Sequence, residues 1–327
     1  MKKILVTGAD GFIGSHTVEA LLEQGCEVNA FCLYNSFGSR GWLDTLPQST
    51  IQNANIFMGN IGDAVTLKRA MKSCDTVMHL AAQVSIPYSY EAASLFVATN
   101  INGTFNVLEA ARESEVKHLL VTSSSEVYGT AVKVPIKENH PIQPQSPYAA
   151  TKVAADALAT SFYRSYGLPV TIVRPFNTYG PRQSARAVIP AIITQLLEGK
   201  KELQLGNLTP TRDFLFIKDM VAALISVAKK PDLSGQTLNI CSGTEISIES
   251  LAKTLIAKLS PDTKLIKDFK RYRPEESEVY RLFGDASNLL AKTGWQPVYS
   301  LEKGLDATIE WFSQPKNRNY YSGRYEI

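Results

Sequence analysis

The chain has 327 residues, of which 44% are hydrophobic and 20% charged, and its formal net charge is +3. That length suits two lobes, or one large α/β domain with an annex, and the composition allows a sizeable core. The charge is too small to argue for nucleic acid or an acidic membrane as partner, although a local arginine cluster is compatible with one phosphorylated ligand.

In chain order, Lys3–Thr7 reads as a strand, followed by a helix from Phe12 to about Gln24 and a second strand over Val28–Leu33. Further strands are expected at Thr76–Leu80, Leu119–Ser123 and Val170–Arg174, with helices near Ala64–Lys72, Ala92–Glu113 and Pro147–Tyr166. Nearly continuous apolar strands separated by helices predict a doubly wound, Rossmann-type parallel sheet covered on both faces. After Arg174 the alternation loosens. Helical stretches near Val188–Glu198, Lys218–Lys229, Ile248–Leu259 and Leu301–Phe312, with short strands such as Thr237–Ile240, predict a smaller C-terminal α/β lobe. The expected division is 1–175 for a dinucleotide and 176–327 for a substrate, with some late segments returning to the first sheet. The tail from Gln314 to Ile327 is polar and aromatic.

The segment Thr7-Gly8-Ala9-Asp10-Gly11-Phe12-Ile13-Gly14 leaves the first strand and opens a helix. Glycines at 8, 11 and 14 permit a tight turn, a close approach of backbone N–H groups to a pyrophosphate, and close helix–strand packing. The strand–helix–strand context separates this motif from glycines that merely serve a turn. At the end of the second strand, where an acidic residue would bind the ribose 2′-OH, stands Cys32 or Leu33. Arg40 follows in a loop, within reach of a 2′-phosphate or else a solvated charge. With no arginine beside the strand, NAD is favoured and NADP stays open.

Tyr148 and Lys152 stand at i and i+4 at the start of a helix, with Ser146 as N-cap and Pro147 at the first helical position. An ammonium beside a phenol is expected to lower the phenol pKa and make it a usable base. The same pair alone is equally a solvated helix-surface pair. Upstream, Val121-Thr122-Ser123-Ser124-Ser125-Glu126-Val127-Tyr128-Gly129 lies at the carboxyl end of a strand, where open parallel sheets bind ligands.

Cys26, Cys32, Cys74 and Cys241 form no Cys-x-x-Cys pair and read as buried hydrophobes. The four histidines lack ligand spacing, so no metal site is expected. Only Ile4-Leu5-Val6 follows Met1-Lys2-Lys3 before polar residues, too little for a signal peptide. No apolar run approaches the about 18 residues of a membrane span, and a cytoplasmic protein is expected.

Taken together, Gly8/Gly11/Gly14, His79-Leu80-Ala81-Ala82, Asn100, Ser124, Tyr148/Lys152, Arg174-Pro175-Phe176-Asn177-Thr178-Tyr179-Gly180-Pro181 and Arg212-Asp213-Phe214 make the chain resemble the extended short-chain dehydrogenase/reductases, the epimerase/dehydratase family. Leu33-Tyr34-Asn35-Ser36-Phe37 with Gly41-Trp42-Leu43-Asp44 resembles dehydratases acting on N-acetylhexosamine nucleotides of nonulosonic (legionaminic or pseudaminic) acid pathways. The resemblance implies cofactor contacts from Gly8, Gly11, Phe12, Ile13, Gly14, Asn60, Ile61, Leu80, Ala81, Ala82, Asn100, Tyr148 and Lys152. It implies substrate contacts from Ser85, Asn177, Val188, Arg212 and Arg273, with the pyrophosphate gripped by Asn177, Arg212 and Arg273. It also implies a homodimer formed through the helices Ala92–Glu113 and Pro147–Tyr166.

Within that family, Ser124-Ser125-Glu126 occupies the segment where 4,6-dehydratases carry Thr-Asp-Glu, or Thr-Ser-Glu in the GDP-mannose dehydratase branch. The implied chemistry is oxidation at C4 of a UDP- or GDP-linked N-acetylhexosamine, with Tyr148 as base, Ser124 on the oxyanion and Lys152 holding charge. Glu126, two residues beyond Ser124 on an extended strand end, is expected to project to the same side and remove the C5 proton. Ser125 departs from the aspartic acid that would protonate the leaving hydroxyl. The departure keeps a 4-epimerase, a decarboxylase or a 5,6-acting enzyme open beside the 4,6-dehydratase. A dinucleotide-sensing regulator is the non-enzymatic alternative, and the presence of both Tyr148 and Lys152 speaks against it.

Overall fold

The computed structural model describes residues 1–321. Apolar runs such as Ile4-Leu5-Val6 and Val170-Thr171-Ile172-Val173 have no polar face to offer water, so they assemble where both faces are covered. The strands are β1 (Lys3–Thr7), β2 (Glu27–Leu33), β3 (Ala54–Gly59), β4 (Thr76–His79), β5 (His118–Thr122) and β6 (Val170–Pro175). Thr237–Ile240 joins them as a seventh strand beside β6. The spatial order is Thr237–Ile240, β6, β5, β4, β1, β2, β3, and every pairing is parallel. The order reverses between β1 and β4, and that switch point is where such sheets open a crevice.

Alternation along β1 divides the core. Ile4 and Val6 pack on one side with the helices Phe12–Glu23, Val188–Leu197 and Ile217–Ala228. Leu5 packs on the other with Ala64–Met71, Gly103–Glu113 and Pro147–Tyr166. The N-terminal two thirds and the later helices therefore share one core.

The remaining small strands build a platform at the carboxyl end of the sheet. Asn177–Tyr179 pairs with Phe214–Phe216, and Thr211–Arg212 lies between Ile246–Ser247 and Arg281–Leu282. Glu202–Leu205 pairs with Lys264–Lys267.

Two local features differ from the sequence expectation. β3 was not expected, because Asn55 and half-buried flanks interrupt the apolar run that marks the inner strands. The Ala92–Glu113 helix is not uniform. It runs as Ala93–Phe96, a π-turn over Val97–Asn102, and Gly103–Glu113. The π-turn contains Asn100, a buried polar residue whose side chain bonds Gln83 and Thr151 rather than water.

Near the chain end, Tyr321 stacks on Trp42 with ring centroids 5.8 Å apart, and its hydroxyl donates to the Gln183 carbonyl at 2.8 Å. The rest of the aromatic tail, 322–327, lies outside the described residues. Cys32, Cys74 and Cys241 are buried, and Cys26 is half-buried; all are free thiols. Among the described residues no helix is long and apolar enough to cross a membrane, and no cluster of His, Cys, Asp or Glu is fit to hold a metal ion.

Candidate active site

The glycine loop is built by exclusion. Gly8 has φ +67°, and a Cβ there would sit 2.8 Å from the Ala81 backbone. A Cβ on Gly14 would run into the Gly8 carbonyl. The Phe12–Glu23 helix begins at Gly11, whose lack of a side chain leaves the first N–H groups uncapped. Phe12 and Ile13 are half-buried in that first turn. A close backbone cradle at the N-terminus of a twelve-residue helix fits a dinucleotide pyrophosphate.

The far wall of the cradle is held by Thr7, whose hydroxyl accepts from Leu80 N–H and Ala81 N–H at 3.2 Å and bonds His79 Nδ1 at 2.8 Å. His79 Nε2 lies 3.0 Å from Thr104 Oγ1. Burial, helped by the Lys152 charge, pushes His79 down to about 3, so its imidazole is neutral and serves as a spacer. Ala82 follows on the same loop. At the other end of the crevice Ile61 is buried against Gly103, while Asn60 is exposed and caps the turn by accepting from Gly62 N–H at 2.8 Å.

At the end of β2, Cys32 is buried and Leu33 is exposed. Arg40 is not a free cation. Its Nε donates to Asp44 Oδ1 at 2.7 Å, and its backbone N–H donates to Asp44 Oδ2 at 2.8 Å. The guanidinium is thus already engaged by a carboxylate, which fits NAD better than a 2′-phosphate.

Ser146 caps the Pro147–Tyr166 helix by accepting from Ala149 N–H at 3.1 Å, and Pro147 takes the first turn. Tyr148 is the second residue of that helix, edge-on to Phe96, and is hydrogen-bonded by Ser124. Lys152 is buried on the same helix and donates from Nζ to the Thr122 carbonyl at 2.8 Å.

Two sequence expectations are corrected here. The phenol is not lowered by Lys152. Burial raises Tyr148 to about 12 against the Ser124 hydrogen bond, and the carboxylates of Glu126 and Asp156 push the same way. Lys152 is itself lowered to about 8 by burial, with Asp156 opposing. Nor does Glu126 lie on an extended strand end. Ser125–Tyr128 is a 3₁₀ turn, and Ser124 Oγ caps it by accepting from Glu126 N–H at 3.2 Å. The turn forms because a serine oxygen satisfies the first orphan donor. It still leaves Glu126 buried and close enough to act electrostatically on both Tyr148 and Arg212. Ser125 is buried beside it.

Opposite this group lies a cationic clamp. Arg212 is buried and donates from Nη1 to the Thr211 carbonyl at 2.9 Å. Burial lowers its pKa, Glu126 favours its charge, and Arg273 opposes it. Asn177 anchors its backbone N–H on the Asp213 carbonyl at 3.1 Å, while its buried Oδ1 has no hydrogen-bond partner among the described residues. Asp213 turns the other way and accepts from Ser242 N–H and Oγ and from Gly243 N–H, so the Arg-Asp-Phe run divides between ligand and scaffold. Ser85 holds φ +102°, a strained value for a residue with a side chain, at the start of the short Ile86–Glu91 helix. Val188 opens the Val188–Leu197 helix and is half-buried.

Hydrogen bonds and electrostatics thus link Ser124, Glu126, Tyr148, Lys152, Arg212 and Arg273 into one group. Asn60, Ser85 and Val188 enter none of those interactions. Sequence reasoning missed Glu278, which pairs with both Arg212 and Arg273, and Asp156, which binds Arg174. The one available signal for Asp156 was its spacing, four residues after Lys152.

A parallel sheet with this strand order, a glycine cradle at β1 and a serine–tyrosine–lysine group at the strand ends define an enzyme of the extended short-chain dehydrogenase/reductase class, the NAD-dependent epimerase/dehydratase type. More narrowly, the chain belongs to the family described as GDP-mannose 4,6 dehydratase, whose model matches residues 5–308. A human dTDP-D-glucose 4,6-dehydratase is 33% identical over 322 residues, covering 96% of this chain and 90% of that protein. Among solved structures, the dTDP-glucose 4,6-dehydratase DesIV of Streptomyces venezuelae, with NAD bound, is 30% identical with a TM-score of 0.87, covering 98% of this chain and 99% of that one. TunA, an NAD-dependent NDP-hexosamine 5,6-dehydratase of tunicamycin biosynthesis, is 28% identical with a TM-score of 0.86, covering 97% and 99%.

Proposed function

We propose that the chain is a 4,6-dehydratase of a UDP- or GDP-linked N-acetylhexosamine, with residues 1–175 serving the dinucleotide and 176–327 the nucleotide-sugar. The observation that carries this reading is Glu126, a buried carboxylate whose charge acts on both the Tyr148 phenol and the Arg212 guanidinium. An epimerase acting by oxidation and re-reduction at C4 has no use for a base at C5, whereas a dehydratase requires one.

Bound NAD supplies the hydride chemistry, as acceptor from C4 and donor back to C6. Tyr148 takes the proton of the sugar 4-OH, and Ser124 hydrogen-bonds the same oxygen. Lys152 balances the charge. With a ketone at C4, C5–H is acidified, and Glu126 removes that proton as a general base. The C6 hydroxyl then leaves as water with the proton that Glu126 took, giving the conjugated enone, and hydride at C6 with a solvent-derived proton at C5 completes the 4-keto-6-deoxy product. Burial holds the phenol high in the free protein, so Tyr148 serves as base once ligand binding adds positive charge beside it. Arg212, Arg273 and Asn177 hold the diphosphate through charge-assisted hydrogen bonds.

A second reading is supported by the likeness to TunA, an NAD-dependent NDP-hexosamine 5,6-dehydratase. Both readings expel the same C6 hydroxyl, for which Ser125 is a poor acid. A 5,6-dehydratase shares the C4 oxidation and C5 deprotonation but returns hydride to C4, leaving a 5,6-ene. The experiment is to incubate the purified protein with UDP- and GDP-N-acetylglucosamine and determine product mass and structure. A loss of one water with a 4-ketone and a C6 methyl supports the first reading, and a loss of one water with an exocyclic alkene supports the second. Unchanged mass overturns both.

The protein is further inferred to act as a homodimer through the two helical segments at 93–113 and 147–166. Phe105, Tyr163 and Tyr166 stand exposed on them. Light scattering should give twice the chain mass, and a monomer at micromolar concentration would overturn the assignment.

A further inference from the structure

Arg174 opens the Arg-Pro-Phe-Asn run, yet its guanidinium does not join the diphosphate clamp. It is buried behind the Tyr148–Lys152 helix, where Nε and Nη2 donate to the same oxygen of Asp156 at 3.0 and 2.9 Å. Its Nη1 donates to the Tyr128 hydroxyl at 3.0 Å, and its guanidinium carbon lies 5.0 Å from the centre of that ring. The Tyr128 hydroxyl donates in turn to Asn239 Oδ1 at 2.7 Å. Asn239 Nδ2 donates to the Ile136 carbonyl at 3.0 Å, and its backbone N–H donates to Glu138 Oε1 at 2.9 Å. A chain of buried polar groups therefore runs from the seventh strand of the sheet to Asp156.

Asp156 stands one helical turn beyond Lys152 on the same buried face. A charge network this deep is expensive unless every member is paired, and one carboxylate here faces two cations. We propose that Asp156 is a positioning residue for the proton-handling pair, its carboxylate fixed by Arg174, which Tyr128 holds in turn, so that Lys152 stays a cation one helical turn from Tyr148. This rests on the reading of Tyr148 and Lys152 given under Proposed function.

The surrounding charges set the sign. Lys152 faces Asp156, the neutral His79 and the Thr122 carbonyl. Tyr148 faces Ser124, Glu126 and Asp156. Asp156 faces Arg174, Ser123 and Lys152, and Glu138 acts on the network through Tyr128. Glu126 is itself balanced by Arg212. Asp156 raises both Lys152 and Tyr148, so removing its charge lowers both groups. The two limbs of the pH–activity profile, which report these two groups, then move together toward lower pH. Simple damage to packing lowers the rate without moving either limb.

The test uses the full-length holoprotein labelled with ¹³C-lysine, with the Lys152 Cε resonance assigned by its loss in Lys152→Met. Its titration midpoint is expected near 8 in the parent protein and ~1 pH unit lower in Asp156→Asn, the scale of losing one close opposite charge. Asp156→Glu, which keeps the charge, restores the parent midpoint. Should Asp156→Asn not fold, Asp156→Ser leaves room and an oxygen for Arg174 and is expected to show the same downward shift. In parallel, turnover of UDP-N-acetylglucosamine is followed against pH, with both limbs of the Asp156→Asn profile displaced to lower pH. An unmoved Lys152 midpoint in the variant overturns the proposal. Full turnover by Tyr148→Phe would instead overturn the assignment of the base, and the resonance measurement tells the two failures apart.

Discussion

Arg212 and Arg273 converge on one carboxylate oxygen, Glu278 Oε1, each with a guanidinium nitrogen 3.6 Å from it. Two guanidiniums that share one carboxylate oxygen at distances too long for strong hydrogen bonds keep donors free, and Arg273 Nη1 is buried with no hydrogen-bond partner among the described residues. A nucleoside diphosphate brings oxygens that those donors can bond. Arg273→Ala is expected to weaken UDP binding by about 10- to 100-fold, the scale of losing one charge-assisted hydrogen bond of 1.5–3 kcal/mol. Calorimetric titration with UDP checks this, and unchanged affinity would remove Arg273 from the diphosphate site. Arg212→Ala should also lower the melting temperature, because Arg212 is buried and its loss leaves Glu278 and Glu126 short of a counter-charge.

Cofactor choice turns on an ion pair. Asp44 engages Arg40 through its backbone and side chain at once. Asp44→Ala frees the guanidinium next to the end of β2, so NADP affinity should rise relative to NAD while NAD affinity holds. Gly14→Ala should abolish retention of either nucleotide, because the added methyl meets the Gly8 carbonyl. Fluorescence titration with both nucleotides reads each outcome.

Stability should fall in mild acid. His16 and His79 are both depressed to about 3, in each case first by burial, with Arg182 adding its charge at His16 and Lys152 at His79. Both are bases lowered on folding from about 6.5, so the unfolded chain binds more protons between those values. Their neutral burial is therefore fully tolerated above about pH 6.5 and increasingly opposed as pH falls toward 3. The urea midpoint should drop between about pH 7 and about pH 5, and His16→Gln should flatten that slope. His16 is the gentler site, since among the described residues its one hydrogen bond is to the Pro181 carbonyl at 3.0 Å, with Glu19 Oε2 3.9 Å from its other ring nitrogen. A midpoint flat across that range would contradict the assignment.

The parallel sheet was legible because β1, β4, β5 and β6 are short apolar runs bounded by turn signals, and the loop Gly8–Gly14 carries its own steric logic. β3 was hidden because an edge strand needs no unbroken apolar run. At the site, residue identity was readable but electrostatic balance was not. The Tyr-x-x-x-Lys spacing suggests a lysine that lowers the phenol. In the fold, the outcome depends on burial and on Glu126 and Asp156, brought in from a turn and from the next helical turn. The shape of the Ser124–Glu126 segment likewise depended on whether Ser124 Oγ would cap a turn, which a run of serines does not reveal. Glu278 escaped notice because its partners lie far away in sequence or in an irregular loop.

The sharpest division between dehydration and plain epimerisation lies at Glu126. Epimerisation through a 4-ketone never breaks C5–H, so C5 keeps its original hydrogen. Dehydration across C5 and C6 must remove that hydrogen, and Glu126 is the carboxylate buried in the turn that also supplies Ser124. Reaction in D₂O should place deuterium at C5 of a 4,6-dehydratase product, read by NMR. Glu126→Gln should keep the fold, because the turn is capped by Ser124 Oγ on a backbone N–H that the substitution leaves in place. It should still allow substrate to reduce the cofactor, since Tyr148 and Ser124 remain. It should then stall before water is lost, with turnover down by ~10²–10⁴, the usual worth of a general base. Ser125→Ala should cost much less, because a serine hydroxyl is a weak acid. A C5 position that keeps its protium through turnover would sink the assignment and leave C4 epimerisation as the better account of the site, whereas a Glu126→Gln enzyme that dehydrates at the parent rate would place the C5 base on another residue.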